Sequence, residues 1–395
     1  MKHIGLVILL AVVAMSAHAL EGRVIVVTAE EELPAFTPVL MEVDITAVPE
    51  GRLEAVNQAT GEVAPVALFD GHLAFVPPSL PVGEEQRFEL TVADALPPRV
   101  RLEHDLDTKI VAVYVRDTHF TSYNYGDVSR IPCLWPVYAE NGVTITRNYP
   151  MGEDKPIDGR MDDHRHHVSI WTAFGDVNGA DTWHRAPIDT KSVEAESGDA
   201  FGVIRAHNVW RAPRGGDPLV DEIRELRFYD APAGVRLFDK TITFHAAYGD
   251  VTFGDDKEGV VAFRIRPEIQ GNQAGVLTNA AGGQGEREVY GTPTPWMDYS
   301  GPIEGVGTRG LALFSHPDNF REPCWHVRDY GLAAANPFAL SDVCRFDEDG
   351  SYELAEGESL TLQFRFYIHT GDVEEAEVAK HYTGYASMPT AAWAE

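Results

Sequence analysis

Short runs of β-branched and aromatic residues, closed repeatedly by glycine, proline or acidic turns, leave this chain little room for any helical fold. Residues 23–28 (RVIVVT), 39–45 (VLMEVDI), 72–75, 88–92 and 110–115 (IVAVYV) read as strands. So do 143–146, 168–171, 202–207, 223–228, 235–244, 260–265, 310–314 and 360–368. The last, LTLQFRFYI, alternates apolar and polar side chains for most of its length, as a half-buried antiparallel strand does. With 35 Gly and 25 Pro there are turn formers enough to separate them. One helix is predicted, over 373–382, opened by Asp372 with carboxylates in its first turn. The pattern predicts an all-β protein: a large antiparallel β-sandwich preceded by a small β-sandwich module.

Ala95-Leu96-Pro97-Pro98 is a rigid break, which divides a small β module over 20–98 from a larger domain over 104–386. Ahead of both, residues 1–19 have the form of a secretory signal. Lys2 and His3 precede an apolar run over 4–15, and Ala17-His18-Ala19 is a small-x-small cleavage site. Cleavage after Ala19 would place the mature protein in the periplasm or outside the cell. The run is shorter than the roughly 20 residues a membrane-spanning helix needs, and no later segment is longer, so no membrane insertion is expected.

Hydrophobic residues at 44% and charged residues at 24% suit a folded chain. The 32 basic residues stand against 61 acidic ones, a formal charge of −29, and only seven of the cations are Lys. Such a surface repels phosphate backbones and anionic lipid, which excludes nucleic acid as a partner. The three cysteines, Cys133, Cys324 and Cys344, lack CxxC spacing, so they do not form a zinc knuckle. An oxidising compartment admits one disulfide among three pairings.

The densest polar cluster is Asp162-Asp163-His164-Arg165-His166-His167-Val168-Ser169-Ile170-Trp171. On a strand, period two would put His164 and His166 on one face and His167 on the other. Two imidazoles with a carboxylate such as Asp163 nearby suit a divalent metal, and they equally suit acid–base catalysis near neutral pH. Downstream, Trp171 and Trp183, with Asn178 and Asp181 between them, have the residue types of a sugar platform; a β core would use the same tryptophans. Gly254-Asp255-Asp256-Lys257-Glu258-Gly259 presents a Lys and three acids at a strand end, where Lys257 would orient Glu258. His316 opens a fourth stretch that runs through His326, Arg328 and Tyr330, on one strand face if extended, to Asn336. Arg328 is suited to bidentate carboxylate binding and Tyr330 to proton transfer. Asp298 and Tyr299 in Trp296-Met297-Asp298-Tyr299-Ser300-Gly301 form a further acid–aromatic pair. No GxSxG elbow, HExxH, P-loop or placed GxGxxG is present.

In order, Asn148-Tyr149-Pro150-Met151, DHRHHVSIW (163–171), GDVNGADTW (175–183), GDDKEG (254–259), WMDYSG (296–301), HPDN (316–319) and WHVRDYGLAAANPF (325–338) closely resemble the bacterial PmoA-like family, labelled "methane oxygenase PmoA", over 104–386. The label names a membrane enzyme, whereas no segment here spans a membrane. Family members are mostly exported and occur among sugar- and polysaccharide-utilisation genes, so the resemblance implies carbohydrate work. Where the family reads DHPHHRSLW and GDTKEG, its proline is replaced here by Arg165 and its arginine by Val168, which moves a positive charge beside the histidines.

These observations together lead to an expected carbohydrate-active enzyme on a β-sandwich, with the supersandwich of sugar mutarotases and several glycan lyases as analogy. It would cleave a glycosidic bond of an oligo- or polysaccharide by hydrolysis or β-elimination. The expected catalytic groups are His164, His166, Glu258, His326 and Tyr330. Asp163, His167, Trp171, Asn178, Asp181, Trp183, Lys257, Asp298, Tyr299, His316, Arg328 and Asn336 would bind substrate. Arg224, Arg264 and Arg328 would supply positive charge for an acidic glycan. Two alternatives stay open: a non-catalytic glycan-binding protein, and a mononuclear metal oxygenase with a divalent metal at His164, His166 and Asp163.

Overall fold

The computed structural model describes residues 20–394 apart from 31–32, 35–36, 44–51, 70, 78–79, 95 and 154–162. The expected signal segment and Asp162 lie outside the described residues.

The chain is nearly all β. Its first sheet runs in the order Val39–Glu42, His72–Phe75, Val63–Phe69, Arg52–Asn57, Gln86–Ala93, Val24–Thr28, Thr390–Trp393. The two edge strands lie against each other, so the sheet curls into a nearly closed barrel around Ile25, Leu53, Phe75, Phe88 and Leu90. Its last strand comes from the far end of the chain: Thr390–Trp393 pairs antiparallel with Val24–Thr28, and the Arg23 guanidinium lies 3.5 Å above the Trp393 ring. Pairing of this kind covers an edge that would otherwise expose unpaired backbone groups.

Two eight-stranded antiparallel sheets form the large sandwich. One has the order Cys324–Arg328, Leu332–Asn336, Val261–Arg264, Ile170–Thr172, Cys133–Val137, Thr118–Asn124, Ile110–Val115, Val100–Asp105. The other has Ile188–Glu196, Phe201–Arg211, Pro218–Tyr229, Val235–His245, Ser359–Thr370, Gly307–Ser315, Trp296–Ile303, Val276–Asn279. Their inner faces meet through aromatic pairs: Phe120 lies 5.7 Å from Phe228 and 6.1 Å from Phe238, and Phe263 lies 6.5 Å from Tyr299. Each such side chain removed from water contributes about 2 kcal/mol. The outer face of the second sheet is covered by the helix Val378–Ala386 and part of the barrel, through Ala74, Phe314, Tyr367 and Tyr385.

Three local expectations are corrected. The helix begins at Val378 and not at residue 373, because Glu377 takes a left-handed φ of 47°. Asp372 caps the turn before it, its Oδ1 accepting from the N–H groups of Glu374 and Glu375. Residues 143–146 make only isolated bridges, Thr144 to Tyr138 and Thr146 to Ile265. Arg224 points into the sandwich core, where it donates to Glu222 at 2.6 and 2.9 Å, away from the other arginines expected beside it. Cys324 and Cys344 form a disulfide with a Cα–Cα distance of 5.5 Å, and Cys133 is a buried free thiol.

Candidate active site

Strand register decides which side chains share the exposed-side face of the first large sheet. Trp171 pairs with Ala262, Ala262 with Ala334, and Ala334 with His326. One step along each outer strand, Arg264 pairs with Leu332 and Leu332 with Arg328. Period two therefore places Trp171, Arg264, His326 and Arg328 on the face opposite Phe263, which faces the core. Loops cross this face and complete the site.

The histidine cluster enters as one such loop and not as a strand. Its strand begins only at Ile170, and His164 and Ser169 take left-handed φ values of 47° and 63°. The expected alternation of His164 and His166 against His167 therefore does not apply, and the three rings gather. His164 and His167 stack at 4.8 Å, His166 and His167 meet edge to face at 4.5 Å, and His164 and His166 lie 5.7 Å apart. Two arginines hold the loop in this shape. Arg147 donates to Asp163 Oδ1 at 2.6 Å and to the carbonyls of His164 and His167 at 2.9 and 3.3 Å. Arg264 donates to Asp163 Oδ2 at 3.2 Å and to His167 Nδ1 at 2.9 Å. A guanidinium only donates, so His167 Nδ1 accepts and its proton sits on Nε2. His167 is thus a buried strut for Arg264 rather than a group open to substrate.

Asp163 anchors this arrangement. The hydrogen bond to His164 Nδ1, at 3.0 Å, and the charges of Arg264 and Arg147 hold its carboxyl well below the usual carboxylate range. Burial, with Arg147 adding to it, draws Arg264 down to about 10, which leaves it charged at neutral pH. Burial also lowers His166 to about 3, with help from His184, His164, Arg130 and Arg147, so its imidazole is neutral.

Tyr330 leaves the strand, which ends at Arg328, and sits in the turn before Leu332. Its ring nevertheless returns to the cluster: it stacks on His164 at 4.8 Å, and the Arg264 guanidinium lies 4.4 Å from its centroid. Burial raises its phenol above the ordinary value, and the charges of Glu258 and Asp163 add to the rise. Glu258 reaches the same neighbourhood from the loop before Val261–Arg264. Burial pushes its carboxyl up to about 7; Lys257 and Arg328 oppose the rise and Asp256 adds to it. His326 Nδ1 lies 2.9 Å from the Lys257 carbonyl and 3.7 Å from Glu258 Oε2, and burial beside Arg328 lowers this imidazole to about 3.

Beside the histidines opens a cleft of about 380 Å³, whose lining includes Arg130, Arg165, His166 and His184. His184 was not among the expected residues. Its ring lies 4.2 Å from that of His166, and Asp181 Oδ2 meets its Nδ1 at 3.0 Å. The Asp181-x-x-His184 spacing was the available signal. Arg130 and Arg147 carry none, since each arrives from a loop remote in sequence.

Several expected binding residues serve the fold instead. Trp171 and Trp183 are both 0% exposed and pack on each other at 5.0 Å, so neither offers a face to a sugar. Tyr299 is buried between the sheets and donates to the Arg328 carbonyl at 2.8 Å, whereas Asp298 is buried on the covered outer face of the second sheet, 2.9 Å from His369 Nε2. Asn336 is buried, donates to the Asp256 carbonyl and accepts from the Phe338 N–H. Asn178 joins two turns by donating to the Asp250 carbonyl and accepting from the Thr252 N–H. His316 lies on the covered side of the second sheet against Tyr385, at 4.9 Å. Arg328 faces Glu286 at 3.6 Å and lies over the Tyr290 ring. Lys257 is exposed at the rim.

The donors do not fit the expected metal. Among the described residues no three His, Cys, Asp or Glu side chains converge as a ligand set. Asp163, the expected carboxylate ligand, is already engaged by two guanidiniums and an imidazole.

Fold and site together define an all-β sandwich protein with a histidine- and arginine-lined cleft on the outer face of one sheet. Residues 110–383 match a family of unknown function, DUF6807, and the chain belongs to that family. No curated protein matches the chain. Among the described residues no helix is long and apolar enough to cross a membrane.

Proposed function

We propose that this protein is an exported, carbohydrate-active enzyme that cleaves a glycosidic bond by acid–base chemistry at this face. The observation that carries the reading is two oppositely tuned groups linked through Asp181, whose charge reaches Glu258 and whose carboxylate meets His184 beside His166. His166 is a neutral imidazole at any physiological pH, able to accept a proton, and Glu258 is a carboxyl that holds its proton up to about pH 7. Environments that push titratable groups apart in this way assign acid and base. His166 is the base, Glu258 the acid, and the Asp163–His164 pair with Tyr330 orients the substrate. His326, neutral and hydrogen-bonded to the Lys257 carbonyl, positions the Glu258 loop. The resemblance to the PmoA-like family supports a carbohydrate substrate, and the Cys324–Cys344 disulfide supports an oxidising compartment.

The test is mass spectrometry of products after incubation of the protein with neutral and anionic oligosaccharides. Fragments that carry one added water establish a hydrolase, and an unsaturated end establishes a lyase. Loss of turnover in H166A and in E258Q is expected, and near-wild-type rates in either would overturn the assignment. An added oxygen would mark an oxygenase; saturable binding without any product would mark a glycan-binding protein.

A further inference from the structure

Arg130 and Arg165 line the cleft with His166 and His184, and among the described residues neither guanidinium is bonded to a carboxylate. Asp163 already answers Arg147 and Arg264 behind them. Arg130 is oriented by three backbone carbonyls, those of Thr182, Trp183 and Ala186 at 2.8, 2.7 and 2.5 Å. Carbonyls fix the plane of a guanidinium without cancelling its charge. Among the described lining residues Asp127 supplies the one carboxylate, against two guanidiniums. The chain as a whole has the opposite balance, 61 acidic residues to 32 basic. A cleft that gathers exposed and half-buried arginine in so acidic a protein has a use for positive charge. Its volume of about 380 Å³ lies in the range of small-ligand pockets.

We propose that this cleft receives an anionic group on the sugar substrate, a carboxylate or a sulfate ester, with Arg165 as its mobile clamp and Arg130 as its fixed one. The inference rests on the reading of the site as carbohydrate-active and narrows it to acidic sugars. Arg165 presents its donor fork from the rim and pairs with a planar or tetrahedral anion on arrival. The preset Arg130 needs no reordering. His166 and His184, at ring distance 4.2 Å, flank the same space and offer hydrogen-bonding edges for hydroxyls.

Calorimetric titration of the protein with free glucuronate, glucose 6-sulfate and glucose tests this without any bond to cleave. At least one acid sugar is expected to bind ten times or more tighter than glucose, and which one does so distinguishes carboxylate from sulfate. R165A should erase the preference and R165K retain part of it; Arg165 is exposed, so neither variant threatens the fold. Equal binding of glucose, no binding of any of the three, or an unchanged preference in R165A would overturn the proposal. The two readings fail separately. Cleavage of neutral glycans alone sinks this inference and leaves the enzyme, whereas acid-sugar binding with no cleavage of any glycan sinks the enzyme and leaves this inference.

Discussion

Glu258 Oε2 stands 3.7 Å from His326 Nδ1, yet the two are not an ion pair at neutral pH. Burial keeps the imidazole uncharged down to about pH 3, so it gives the carboxylate no counter-charge, and the Glu258 proton is retained to about pH 7. The neighbouring carbonyl of Lys257, 2.9 Å from the same nitrogen, fixes the proton of His326 on Nδ1. The acid poised near neutrality thus owes its proton to burial, beside a histidine that does not ionise.

Glu258 should make stability fall with pH. Its folded value of about 7 lies above the ordinary 4.5, so the folded state binds the proton more tightly than the unfolded state. The stabilisation is complete below about pH 4.5 and is lost as pH rises through 7, a change of about 3 kcal/mol. Urea denaturation at pH 4 and pH 8 should show that loss in the wild type and not in E258Q, relative to one another. Parallel curves for the two proteins would contradict the burial of this carboxyl. If Glu258 is the acid, turnover should decline over the same interval above pH 7.

Asp163 neutralises Arg147 and Arg264, whose side chains are 5% and 2% exposed. D163N removes the carboxylate that both buried guanidiniums share. Removing one partner of a fully buried pair costs about 3–5 kcal/mol, and a third of Asp163 is exposed to water, so a loss of about 2 kcal/mol is expected. Chemical denaturation measures it, and an unchanged midpoint would show that the histidine loop does not rely on this carboxylate.

The disulfide closes a separation of 20 residues at the sheet edge that carries His326. Replacing both cysteines, C324S with C344S, should lower stability by about 3 kcal/mol. Thiol labelling of the denatured, unreduced wild type should find one reactive cysteine, Cys133. Three labelled cysteines would mean that the bond does not form.

Trp183 distinguishes packing from sugar stacking. W183A should cost about 3–5 kcal/mol because its site is fully buried. W183F should keep substrate binding within twofold. A selective loss of glycan affinity in a W183F protein of normal stability would restore the platform role.

Deleting residues 389–395 removes the strand that pairs over four positions with Val24–Thr28. Cross-strand pairs contribute up to about 1 kcal/mol each, so a loss of about 2 kcal/mol is expected in the barrel. Proteolysis should then strike the barrel first; a barrel as resistant as before would show that its edge needs no cover.

The β-rich sandwich was legible because strand-length apolar runs between turn formers admit few other architectures. Residues 110–115, 235–244 and 360–368 were readable from composition and alternation alone. The strand Thr390–Trp393 was not, since TAAW has no strand signature and becomes a strand only by meeting Val24–Thr28. Within the site, the grouping of His164, His166, Glu258, His326 and Tyr330 around one sheet face had sequence signals. Arg130, Arg147 and His184 come from loops whose positions depend on long-range packing.

The sequence by itself determined the class of fold, the acidic surface and the residue types available for proton transfer, because these depend on local pattern and composition. Tertiary structure decided which polar residues face solvent and which brace the core. Trp171, Trp183, Asp298 and His316 have the same chemical character as site residues, but Trp171 lies on the site face covered by His167 and Trp183, and sheet packing buries the others away from the cleft. It also decided which groups titrate, since the shifts of His166, Glu258 and Asp163 arise from burial and from charges brought together across more than a hundred residues of chain. Charge state follows from surroundings in space, and no run of neighbouring residues specifies them.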